Sequence, residues 1–137
     1  MAVYYEKINE INEAEEPAKE LLRKLGYRYV PRQMLAVERD NEREVLLKGR
    51  LRHALRRLNP WLNDDQVERA IFKLEHVDAL GMARNQIIHE YLTYGMPLDV
   101  DENGGRRTRT VAFFDFDHPE PRDERNEYVV TTQMRIR

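Results

Sequence analysis

The hydrophobic pattern of this chain changes period once. Up to Tyr94-Gly95-Met96-Pro97 apolar residues recur every three or four positions, and beyond it they alternate. Helices repeat about every 3.6 residues and strands every two, so a single change of this kind restricts the chain to helices first and strands after. The expected class is α+β, with about four helices followed by a mainly antiparallel sheet of about three strands.

The first helix places Ile11, Ala14, Ala18, Leu21, Leu22 and Leu25 on one face, with Pro17 in its first turn and Gly26 as its stop. Tyr27 to Pro31 reads as extended, and residues 28–42 are otherwise left open. The second helix spans 43–58 with Leu47, Leu51, Ala54, Leu55 and Leu58 inward, and Asn59-Pro60 ends it. Asn63 or Asp64 can cap a third, whose stripe is Val67, Ala70, Ile71 and Leu74. A fourth covers 79–94 with Leu80, Ala83, Ile87 and Tyr91 inward. Asn103-Gly104 is a hairpin turn, because both residues accept positive φ, and it joins strands near 97–101 and 107–116. Val111-Ala112-Phe113-Phe114 is apolar on both faces, as in a central strand. A last strand alternates over 126–136.

The chain of 137 residues is of one-domain size, since roughly 150 residues make a domain. It has no cysteine, which removes disulfides, thiol catalysis and thiolate metal sites and suits the cytoplasm. No apolar run is long enough to span a membrane, and the N-terminus is not a signal peptide. A net charge of −2 hides strong segregation. Residues 1–20 hold six acids and two bases, as do residues 115–127, whereas 43–57 hold six bases against Glu44 alone. This basic helix, with Arg50, Arg52 and Arg57 as its candidate DNA contacts, could neutralise several phosphates; equally, it could be a solvated face paired to acidic segments of the same chain.

The motifs of nucleotide-binding loops, serine hydrolases and zinc proteases are all missing, and no Lys follows an acid by two residues. Asp115, Asp117, His118 and Glu120 could form a hard-cation site, or simply a solvated strand end. The four histidines have no ligand spacing. Asn85 and His89 share one helix face beside Leu92, where a structural hydrogen-bonding role is expected.

Taken in order, several segments resemble the N-terminal region of the R (restriction) subunit of type I restriction-modification enzymes. They are Glu15-Glu16-Pro17-Ala18-Lys19-Glu20-Leu21-Leu22-Arg23-Lys24-Leu25-Gly26-Tyr27; Arg43-Glu44-Val45-Leu46-Leu47 through Leu51 to Leu58-Asn59-Pro60; and Asn85, His89, Leu92 and Gly95. Two more follow, Val111 to Pro119 with its Phe113-Phe114-Asp115-Phe116-Asp117-His118-Pro119 run, and Asn126-Glu127-Tyr128-Val129-Val130-Thr131-Thr132-Gln133. The resemblance covers nearly the whole chain, and its specificity lies in order and spacing.

It implies that residues 1–137 are the incomplete N-terminal part of a PD-(D/E)xK-type nuclease domain. Beyond the chain would lie the catalytic Asp, the Glu-x-Lys and an ATP-driven DNA translocase. The implied cofactors are Mg²⁺ and, for the parent, ATP. The implied partners are duplex DNA and the modification (methyltransferase) and specificity subunits. Of the catalytic residues only one carries over, a first-helix glutamate at Glu15 (Glu16 if the register slips by one), which would help hold or orient Mg²⁺. Without the Asp and Glu-x-Lys, the chain is not expected to cut DNA unaided. Two other classes stay open: a small DNA-binding module built on helix 43–57, and a non-catalytic interaction domain. Reading the parent gene beyond codon 137 separates them; a Pro-Asp followed by Glu-x-Lys is the expected result, and an immediate stop codon counts against it.

Overall fold

A computed structural model describes residues 15–39 and 46–132. The chain divides into two compact units, one formed by residues 1–47 with 120–137, the other by Lys48–Pro119.

In the first unit a helix, α1, occupies 15–24. Its end is a Schellman motif: Gly26 N–H donates to the Arg23 carbonyl at 3.0 Å and Tyr27 N–H to that of Leu22 at 3.0 Å. Gly26 sits at φ +103°, and a Cβ there would lie 2.5 Å from the Cβ of Pro121, so conformation and close approach both require glycine. The chain then enters β1 (Arg28–Tyr29) and α2 (Arg32–Glu38), whose buried residue is Leu35. Pro121–Asp123 forms a 3₁₀ turn, and β4 (Val129–Val130) pairs with β1 in parallel. Arg28 N–H donates to the Tyr128 carbonyl at 2.8 Å and Val30 N–H to that of Val130 at 3.0 Å. The Tyr27 and Tyr128 rings meet at 5.2 Å beside this ladder.

The second unit holds α3 (Lys48–Leu58), α4 (Asp64–Glu75), α5 (Gly81–Tyr94) and the hairpin β2 (Met96–Glu102) and β3 (Gly105–Val111). Its core joins Leu55, Val67, Ala70, Ile71 and Leu74 from the helices to Met96, Leu98, Val100 and Val111 from the sheet. Each such Leu or Val gains about 1.5–3 kcal/mol by leaving water. Asn63 caps α4 through a capping box, its Oδ1 accepting from Gln66 N–H at 2.8 Å while Gln66 Oε1 accepts from Asn63 N–H at 3.0 Å. The turn residues Asn103 and Gly104 have φ of 51° and 75°, as the sequence requires of a type I′ hairpin. Gly95 enters β2 at φ +94°, where a Cβ would fall 2.4 Å from Thr110 Cγ2.

Several sequence expectations need correction. Five helices are present among the described residues, the addition being α2 in the segment left open. The second helix starts at Lys48, not 43; Leu46 and Leu47 precede it, and Arg43 lies outside the described residues. The long strand ends at Val111, not 116, because Ala112 gives its backbone groups to Asn59. Only Val129–Val130 of the expected strand 126–136 is strand among the described residues, with Gln133 to Ile136 outside them. It runs parallel to β1 instead of joining the hairpin, so the described strands form two two-stranded sheets and not one antiparallel sheet of three. On the stripe of the first helix, Leu21 and, just past its end, Leu25 are 59% and 58% exposed, while Ile11 and Ala14 fall outside the described residues. No residue of α5 is buried, so the stripe expected on the fourth helix is not a core stripe here.

Asn59, 3% exposed, ties helix to sheet. Its Nδ2 donates to the Leu55 carbonyl at 3.0 Å and the Ala112 carbonyl at 2.8 Å, and its Oδ1 accepts from Ala112 N–H at 2.8 Å. Asn59→Ala leaves both Ala112 groups without this partner and should cost on the order of 2–3 kcal/mol, read from the urea midpoint. Asn59→Asp keeps the acceptor but sets a carboxylate against two carbonyls, so it should be at least as damaging.

Candidate nucleic-acid interface

The bases of α3 separate by helical position into two flanks. Lys48, Arg52 and Arg56 recur every four residues and face α4, which returns antiparallel beside them. Lys48 Nζ pairs with Glu75 at 3.3 Å and Arg56 Nη2 with Asp64 at 2.7 Å. Arg52 grips Glu68 with two nitrogens, Nε at 2.5 Å and Nη2 at 3.4 Å. That guanidinium hydrogen bond outweighs the opposing desolvation and, with lesser help from the charges of Arg52, Arg56 and Lys48, holds the Glu68 carboxyl below its usual value. The Arg52–Glu68 link therefore persists at neutral pH and fades only as acid protonates Glu68. Arg50 and Arg57, seven residues apart, share the other flank, and both are half-buried.

The three candidate DNA contacts are thus not brought together. Arg52 belongs to the zipper with α4, and Arg50 and Arg57 lie across the helix from it. Lys48, Arg52 and Arg56 of this basic helix thus meet acids that lie next to it in the fold, on α4.

Between α3, α4 and β2 runs an open groove of about 630 Å³. Its charged lining is Lys48, Arg52, Arg69 and Lys73 against Glu68 and Glu75, an excess of positive charge. Arg69 Nη2 donates to the Asp99 carbonyl at 2.8 Å, and Lys73 Nζ donates to the Pro97 carbonyl. In an antiparallel ladder alternate residues turn their backbone groups away from the partner strand, and Pro97 and Asp99 are two of these. A four-residue step on α4 and a two-residue step on β2 both advance about 6–7 Å, which is why consecutive bases meet consecutive outward carbonyls. Asp99 is itself held below the usual carboxylate range, first by the hydrogen bond donated from Thr108 Oγ1 at 2.7 Å. At the groove's end the His76 ring stacks on Phe72 with centroids 4.0 Å apart. Phe72 is 63% exposed, and it stands outside the core stripe of its helix. Arg69, Lys73 and Phe72 were not singled out by sequence reading; the available signal was a basic pair four apart, with one aromatic, on an otherwise acidic helix.

Glu15 is half-buried on α1, whereas Glu16 is exposed and paired to Lys19 at 3.0 Å. Asp115 uses its oxygens inside its own turn: Oδ1 accepts from the N–H groups of Asp117 (3.0 Å) and His118 (3.1 Å), and Oδ2 meets His118 Nδ1 at 3.2 Å. Asp117 and Glu120 stay exposed. His89 and Asn85 are exposed on α5, and Gln133 lies outside the described residues. Among the described residues no three or more His, Asp or Glu gather as a metal site, and no helix is long and apolar enough to cross a membrane. A single hard oxygen ligand such as Glu15 suits Mg²⁺ but does not make a site by itself. The groove's surplus of bases is of the sign that suits an anion.

The family of the type I restriction enzyme R protein N terminus matches residues 7–137. The chain is 31% identical over 134 residues to a putative type I restriction enzyme MjaIXP endonuclease subunit of Methanocaldococcus jannaschii, covering 95% of this chain and 12% of that protein. It is 28% identical over 132 residues to the type I restriction enzyme HindI endonuclease subunit of Haemophilus influenzae, with 92% and 12% covered. No solved structure matches it. A match that takes in both compact units and every described residue places the chain in one family, that of the N-terminal region of type I restriction enzyme R proteins.

Proposed function

We propose that the chain is the opening part of a longer R subunit that cuts duplex DNA with Mg²⁺, in a reaction coupled to ATP-driven translocation, alongside modification and specificity subunits. The observation that carries this reading is the family match over 7–137, joined to relatives of which the chain covers only 12%. The chain lacks a Glu-x-Lys, so the cleavage centre is completed by residues of the longer polypeptide: an Asp and the Glu-x-Lys of a PD-(D/E)xK nuclease. Alone, the chain does not cut.

Glu15 supplies one oxygen toward Mg²⁺ in this reading. Its half-buried position on α1 supports it over Glu16, which is exposed. Mg²⁺, when bound, would neutralise the phosphate and prepare the attacking water. In the full-length subunit Glu15→Gln should abolish DNA cleavage and leave ATP hydrolysis and translocation intact. Survival of cleavage in Glu15→Gln together with its loss in Glu16→Gln moves the role one residue along; normal cleavage in both removes α1 from the active site.

Non-specific DNA contact is the second reading, and the groove with its surplus of bases favours it. Arg50 and Arg57, on the far flank of α3, would make a second contact separate from the groove. Reversing both to Glu should weaken duplex binding and flatten the salt dependence by about two, since each lost phosphate contact removes roughly 0.9 from the log–log slope. Glu68→Gln, which releases Arg52, should act in the opposite direction.

A further inference from the structure

The positive charge of the groove is concentrated on one side of it. Toward α3, Lys48 and Arg52 face Glu75 and Glu68, so each base there is matched by an acid. Toward β2, Arg69 and Lys73 donate to the carbonyls of Asp99 and Pro97, which carry no net charge. The Asp99 carboxylate is engaged by Thr108 Oγ1 and does not line the groove. The surplus therefore belongs to Arg69 and Lys73, four residues apart on α4 and about 6 Å along its axis.

Phe72 stands beside these two cations. At ~100° per residue it lies on the outer face of α4, with Glu68 and Glu75 roughly 40–60° to one side and Arg69 and Lys73 roughly 60–100° to the other. The core does not call for it, since Val67, Ala70, Ile71 and Leu74 already fill the buried stripe of the helix. His76 covers one face of its ring, with planes within 19° of parallel, and is fixed there by Nδ1 at 2.9 Å from the Phe72 carbonyl. The 63% exposure of Phe72 thus belongs to the other face and the ring edge. Asp65, on the same outer face, is two turns away, about 10 Å nearer the start of the helix.

An open ring face beside two uncancelled cations matches the two halves of an unpaired nucleotide, its base and its phosphate. A duplex cannot use the ring, because its bases stack on one another and present only their edges in the grooves. An acidic peptide would satisfy the cations alone, since a carboxylate is repelled by the negative face of an aromatic ring. We propose that the groove takes single-stranded DNA, with one unpaired base stacked on Phe72 and the neighbouring phosphates on Arg69 and Lys73. The proposal rests on the DNA-contact reading of the groove and names the form of DNA it prefers. Such a platform holds a strand where a duplex has opened, not where it is intact.

The test uses the unaltered full-length subunit and an oligothymidylate of about 12 nucleotides, within the usual reach of a single-strand site. One base is replaced by 5-iodouracil, which on illumination joins to an aromatic ring stacked against it. Digestion and mass spectrometry locate the joined residue, so DNA bound elsewhere on the subunit does not interfere. A crosslink at Phe72 or His76 is expected. An abasic strand of equal length should compete for it about fivefold or more weakly than plain oligothymidylate, and a blunt duplex no better, since neither offers an unpaired base. Absence of a crosslink on α4 overturns the proposal, including where another part of the polypeptide already covers Phe72. Equal competition by the abasic strand or the duplex overturns it too, because the site is then phosphate charge alone. Duplex binding by Arg69→Glu with Lys73→Glu judges the underlying reading. Unchanged binding with no crosslink removes DNA from the groove altogether, whereas weakened binding with no crosslink removes only the base platform.

Discussion

The second unit depends on the amide of Asn59. Helix and sheet each end with backbone groups that their own hydrogen-bonding patterns cannot satisfy, and here the two ends meet. One side chain donates to the Leu55 carbonyl in the last turn of α3 and takes both backbone groups of Ala112, the residue after β3. Its own carbonyl accepts from Leu62 N–H at 3.0 Å, so the same residue also shapes the turn leading to the cap of α4. A buried amide used this fully rigidifies; used in part, it would be a liability. The end of β3 and the turn that leaves α3 both follow from it.

The charge zipper between α3 and α4 changes the meaning of the basic helix. By composition the helix could equally bind phosphates or pair with acids of its own chain, and three of its bases spend their charge on α4 carboxylates at the surface. Exposed pairs of this kind contribute little to stability, typically under about 1 kcal/mol. Their larger effect is orientational, since Lys48 and Arg52 are held along the groove rim and not free in solvent. On the sheet side Arg109 is fixed in a comparable way, pairing with Glu102 at 2.8 Å and lying 4.1 Å over the Trp61 ring.

What the sequence made legible was local. All four stripe residues of α4 are buried, Asn63 caps that helix, Gly26 ends α1, and Asn103-Gly104 turns the hairpin, each from chemistry within a few residues. What stayed hidden was long-range. Nothing near residue 129 announces a parallel partner at residue 28, and nothing in α5 distinguishes an apolar residue that packs inward from one facing out. The candidate site divides along the same line. Its charges could be counted along the chain, but the partners of Lys48, Arg52 and Arg56, and the carbonyls that take Arg69 and Lys73, depend on which element lies opposite.

The covering of β2 by Arg69 and Lys73 gives the hairpin a direction of growth. Incoming strands recognise a row of outward carbonyls and N–H groups, and on β2 two of those carbonyls are already occupied while Pro97 has no N–H to offer. The β2 side is therefore closed to strand addition. Any enlargement of this sheet, wanted or unwanted, must proceed from β3, whose arginines and threonines then decide by charge which strand is admitted and which is turned away.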